Sequence, residues 1–196
     1  MAISLNSSST NSKIHPKMFA LYLSMGSMVM LFTALASALI VKKGDIKHWE
    51  PVELPSLFLV STLIIIISSL FIQIANNALS KDNFSAFKWN AIITSVLSIV
   101  FIVFQYLGWG QLVDQNILLN GNPSGSYIYV ISGFHGFHYV IGILILFLIV
   151  ALTYSKNPYK NSSNAKLHFS MLTQYWHFIG LVWVFIYLFF KFIIYK

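Results

Sequence analysis

The chain has 196 residues, of which 57% are hydrophobic and 9% charged, and it carries a formal net charge of +7. Soluble domains contain roughly 25% charged residues, so this composition excludes an ordinary water-exposed fold and calls for lipid as solvent. The absence of cysteine excludes disulfides, thiolate metal sites, haem attached through Cys-x-x-Cys-His and a thiolate-bridged dinuclear copper centre.

Five stretches lack Lys, Arg, Asp and Glu altogether: 18–41, 54–80, 89–113, 115–155 and 167–190. Each exceeds the roughly 20 residues that a helix needs to cross a hydrocarbon core. None shows the alternation of a barrel strand, and backbone in lipid must satisfy itself within each segment. The expected fold class is therefore all-α, a polytopic membrane protein with a bundle of five transmembrane helices. Residues 1–16 read as a polar Ser/Asn-rich tail without the apolar core of a cleavable signal. Residues 17–196 read as one five-helix membrane domain.

The first helix is expected over about 17–41, followed by a loop with a turn at Gly44 and Trp49 as interface anchor. The second is expected over 51–77, opening on Pro51 and Pro55, which a first turn tolerates. The third spans 84–110. The polar segment Gln115–Ser126, with Asn120-Gly121 and Asn122-Pro123-Ser124-Gly125, reads as a loop. The fourth helix then spans 127–155 and the fifth 166–196. The side holding the N-terminus carries seven lysines (13, 17, 81, 88, 156, 160 and 166) and the other side five (42, 43, 47, 191 and 196). The positive-inside rule then sets the N-terminus in the cytoplasm and the C-terminus in the periplasm. All 12 basic residues are Lys. Without the planar fork of Arg, they read as flanks of membrane spans and not as nucleic-acid contacts.

No carboxylate falls deep within a span: Asp45, Glu50, Glu53, Asp82 and Asp114 sit in loops or at span ends. That argues against proton movement by this chain. His135 and His138 lie three apart on the fourth helix and share a face, with His168 and His177 on the fifth. Imidazole is a common metal or haem ligand, but no carboxylate or thiolate accompanies these rings. Interhelical hydrogen bonds are the plainer reading, and no catalytic, cofactor-binding or metal residue is assigned. A haem-binding anchor of a respiratory dehydrogenase, using His135 or His138 with His177, is the alternative from another class. Small residues on the first helix (Thr33, Ala34, Ser37, Ala38) and Gly133 with Gly136 on the fourth suggest close helix approach. The aromatic density of the fifth helix, with Trp176 and Trp183 on one face, reads as packing, lipid contact and interface anchoring.

Two segments are more specific. Phe134-His135-Gly136-Phe137-His138, continuing to Gly142, resembles the Phe-His-Gly-x-His-x-x-x-Gly signature of cytochrome c oxidase subunit III. Tyr175-Trp176-His177-Phe178, followed by Val182-Trp183 and Tyr187, resembles the final-helix motif of that family. Thr62, Ser68-Ser69, Gln105 with Trp109, and Pro123-Ser124-Gly125 fit its weaker pattern. The length is similar to the short five-helix bacterial form. The chain departs from the family where acids are usual: Met28, Gly108 and Gly180 stand there.

This resemblance implies an accessory, non-redox subunit III of a haem–copper terminal oxidase. The expected partners are subunit I in direct contact, other oxidase subunits and membrane lipid, and membership of a larger respiratory supercomplex is compatible with it. Haem and copper would reside in partner subunits, with structural phospholipid in this one. The complex would reduce oxygen to water with proton pumping in a bacterial inner membrane. The equivalent subunit of a quinol oxidase, or of a nitric-oxide-reductase-associated homologue, would read the same, since the electron donor binds elsewhere.

Overall fold

A computed structural model describes residues 15–45, 49, 51–154 and 163–194. Among them are five helices long and apolar enough to span a membrane: α1 (Pro16–Asp45), α2 (Ser56–Ser80), α3 (Phe84–Asp114), α4 (Pro123–Tyr154) and α5 (Ser163–Ile193). The number and order match the charge-free runs, and the ends differ for local reasons. Residues 51–55 are not helical, and α2 starts only after Pro55. Asn122-Pro123-Ser124-Gly125 opens α4 instead of forming loop. Pro123 takes the first helical position, where its missing N–H costs nothing, and the Asn122 side chain accepts from Ser124 N at 3.1 Å. Gly44 is no turn but part of the last turn of α1. Between α2 and α3 the chain turns through Asp82 at φ 59°, and Asn83 caps α3 by accepting from Ala86 N. The loop between the fourth and fifth helices lies outside the described residues.

The helices α2, α3, α4 and α5 form a closed ring, each packed on its two neighbours, while α1 lies outside against α4 and α5. Lipid tails are as apolar as the side chains they meet. Close packing and internal hydrogen bonds must therefore hold the ring, not exclusion from water. Its centre is aromatic. Phe58, Phe101, Tyr139, Trp176 and Trp183 are wholly buried. Phe101 stands 4.5 Å from Tyr139 and 5.6 Å from Trp183, and Phe58 stands 5.8 Å from Trp183. Such pairs each add about 0.5–1.5 kcal/mol beyond burial.

Candidate functional site

Of the residues singled out from the sequence, Thr62, Ser68, Gln105, Trp109, Trp176 and Trp183 are each bonded to a residue on another helix of the ring. Trp183 on α5 donates its indole N–H to Thr62 Oγ1 on α2 at 3.0 Å. Trp176, two turns earlier, donates to Ser68 Oγ on α2 at 3.1 Å. Gln105 on α3 donates to Ser61 Oγ on α2 at 2.7 Å, and Trp109 to Ser132 Oγ on α4 at 3.0 Å.

The chemistry explains the pairing. A hydroxyl has one proton and two acceptor positions. Ser61 and Thr62 give their protons to the Phe58 carbonyl in their own helix, and Ser132 gives its proton to the Ile128 carbonyl. The lone pairs left over accept from indole or amide across the interface. An indole N–H facing hydrocarbon would stay unpaired, so each bond fixes the rotation of two helices about their axes. Trp176 and Trp183 are thus interior staples, which fits the packing expected of the aromatic fifth helix and makes neither an interface anchor.

The histidines diverge. His177 makes the expected interhelical bond, its Nε2 donating to Gln73 Oε1 on α2 at 2.9 Å. His138 does not: its Nδ1 donates to the Phe134 carbonyl of its own helix at 2.8 Å. Its backbone carbonyl instead accepts from the Tyr175 hydroxyl at 2.8 Å. His135 is wholly buried, and neither ring nitrogen has a hydrogen-bond partner among the described residues. Trp183 at 5.0 Å, Tyr139 at 6.1 Å, Phe101 at 6.2 Å and Phe32 of α1 at 6.3 Å surround it. Helical geometry decides this outcome. The third residue along turns by most of a turn, so His135 points into the ring while His138 lies at its edge toward α1. His138 and His177 bond to different helices and His135 to none, and no group of three or more His, Asp or Glu suited to a metal occurs among the described residues.

The glycines sort themselves by what faces them. A Cβ at Gly142 would lie 3.1 Å from the Tyr175 ring and 3.5 Å from that of Trp176, so this signature position is a point of close helix approach. At Gly108 a Cβ would run into the Phe58 ring. The space that a family acid would need is therefore filled by an aromatic ring. Gly133 and Gly136 meet nothing within 4 Å, and Thr33, Ala34, Ser37 and Ala38 are exposed. None of these pairs mediates close packing within the chain.

Sequence reasoning missed Ser61, Ser132, Gln73 and Phe58. The recurrence of hydroxyls at 61, 62 and 68 in an otherwise aliphatic helix was the available signal, since residues seven apart share a face.

Comparison with known proteins gives the same direction. The family model for cytochrome c oxidase subunit III matches residues 19–195. A cytochrome c oxidase subunit 3 from Spodoptera frugiperda is 31% identical over 74% of this chain and 92% of its own length. Those of Thermostichus vulcanus and Synechocystis are 30% and 28% identical, over 79% and 87% of this chain and 76% and 73% of theirs. With five spans, a stapled interior and these relatives, the chain belongs to the cytochrome c oxidase subunit III family.

Proposed function

We propose that this chain is the accessory, non-redox subunit of a haem–copper oxidase, packing against subunit I, binding structural phospholipid and supporting proton uptake by the catalytic subunit. The observation that carries the reading is the use made of the interior polar groups. Gln105, Trp109, Trp176, His177 and Trp183 are each engaged in a bond to another helix. Groups so engaged serve assembly and leave little for redox chemistry. The wholly buried His135 sits among rings and not opposite a second axial histidine, which disfavours the haem-anchor alternative.

The orientation with the N-terminus in the cytoplasm of a bacterial inner membrane rests on the lysine asymmetry. The electron donor, cytochrome c or quinol, binds elsewhere in the complex, and membership of a larger respiratory supercomplex is compatible with this reading.

The test is purification through a tag on this chain. A large polytopic partner bearing haem and copper is expected, and the chain isolated from it should be colourless. Stoichiometric haem or copper on the isolated chain would overturn the proposal. A topology reporter at Gly121 should signal the periplasm, and a cytoplasmic signal would reverse the orientation.

A further inference from the structure

We propose that the outer face shared by α2 and α5 docks a transmembrane helix of a neighbouring oxidase subunit, one that presents a hydroxyl or carboxamide to Asn77, Gln73 and His177. The inference rests on the oxidase reading above and gives that reading a contact face.

Ser69, Gln73 and Asn77 are spaced by four on α2 and form one polar ridge in an otherwise aliphatic helix. The ridge runs along α5. A Cβ at Gly180 would lie 3.3 Å from Ser69 Oγ, and one turn away His177 meets Gln73. The ridge lies in hydrocarbon. The 25 residues of α2 make a helix about 37 Å long, against a core of about 30 Å. Gln73, about 10 Å from the end at Ser80, is therefore inside the core. Unlike the ring interior, this ridge opens outward: Gln73 and His177 are half-buried, Asn77 is exposed, and Leu70 beside them is 61% exposed.

The bonds along the ridge have a direction. His177 Nε2 donates to Gln73 Oε1 at 2.9 Å, and Gln73 Nε2 donates to Asn77 Oδ1 at 3.0 Å. What remains is an acceptor at His177 Nδ1 and an amide donor at Asn77 Nδ2, and no hydrogen bond among the described residues uses either. Lipid tails offer neither a donor nor an acceptor, and an unmatched polar group in lipid is costly. A side chain that both gives and takes a hydrogen bond, such as a hydroxyl or carboxamide, matches what is left. Two copies of this chain, oriented alike in the membrane, would meet at equal depth and set His177 against His177, acceptor facing acceptor. The complement is therefore a different polypeptide. The Gln73 carboxamide holds its protons, so the chain of bonds suits adhesion and not proton transfer.

The test uses the intact complex, purified through a tag on another subunit and washed in detergent. Asn77→Leu removes the donor end and should lower retention of this subunit about 3-fold, the size of one interhelical hydrogen bond in a membrane. Leu70→Trp adds bulk that lipid accepts and a packed helix does not, and should lower retention at least as much. A photoreactive benzophenone amino acid at Leu70 should cross-link to a transmembrane segment of another subunit, mapped by mass spectrometry.

Full retention of both variants, with no protein adduct at Leu70, would overturn this interface and leave the oxidase reading standing if the wild type still carries a haem–copper partner. Absence of that partner from the wild type would overturn both. An adduct to a second copy of this chain would replace the proposal with self-association. Full retention of Asn77→Leu with slowed oxygen consumption and an enlarged solvent isotope effect would assign the ridge to proton transfer instead.

Discussion

The ring α2–α5 and the appended α1 solve the same problem of living in lipid in different ways. Over their most apolar 18 residues, 33–39% of each ring helix is buried, but only 11% of α1. In the ring, α2 turns Ser61, Thr62 and Ser68 inward and Leu59, Leu63, Ile66, Leu70 and Ile74 outward. On α1 only Met28, Phe32, Ala36 and Leu39 are buried. Polar ties at its two ends supplement them: Lys17 to His168, Tyr22 to Gln174, and Lys43 to the Ile193 carbonyl. The difference shows that similar hydropathy gives no measure of how firmly a span is integrated. That depends on which side chains have partners.

The sharpest way to break the comparison is at the ring centre. Trp183→Ala removes a ring that touches Phe58, Phe101 and His135 and takes away the donor to Thr62. The expected loss is about 3–5 kcal/mol, read as failure of the subunit to remain in the purified complex. Retention at wild-type levels would refute the stapled-ring account. Next is Gly142→Leu, which forces α4 away from Tyr175 and Trp176. Overpacking of this kind costs about 1–3 kcal/mol and should lower the melting temperature of the assembled complex, while the same change at Gly136 should not.

A smaller effect separates the histidines. His177→Ala removes a bond across α2 and α5, and such bonds in membranes contribute about 0.6 kcal/mol on average and up to roughly 1.7. His135→Phe takes away a buried ring with no partner, and replacing an unpaired polar group by an apolar one of similar shape is close to neutral or stabilising. Subunit retention should thus fall for the first and hold for the second. Initial oxygen consumption per haem in intact complexes should stay near normal for both. Near-zero activity in either fully assembled variant would reopen a direct chemical role. The smallest change is expected from Met30→Leu on the open side of α1, within about 0.5 kcal/mol. A larger loss of retention would reveal that this face is covered in the complex.

The number of spans was legible in the sequence because charge is costly in lipid and its absence marks each helix. The ends were less so. Pro55 and Pro123 look alike locally, yet one precedes its helix and the other starts one. The signature histidines stood out as residues, but their partners did not, since spacing of three on a helix leaves the choice between interior and edge to the neighbouring elements. The hydroxyls of α2 were visible as a family pattern. Their role as acceptors emerged only when Trp176 and Trp183 were placed opposite them, because pairing across 108 and 121 residues is a property of the fold.

The position of α1 also bears on the order of biogenesis. Helix α1 leaves the ribosome before α4 and α5 exist, and its ties reach residues 151 and 152 positions later. At synthesis rates of about 5–20 residues per second, it waits roughly 8–30 s for α5. During that interval it must be stable as a solitary helix, with every side chain acceptable to lipid. A span that buries little in the finished protein has little to expose while waiting. The ring helices α2 and α3, by contrast, are joined by a turn of three residues between Ser80 and Phe84 and can pair as soon as both have emerged. The molecule would then assemble from its middle outward, with α1 among the last to dock.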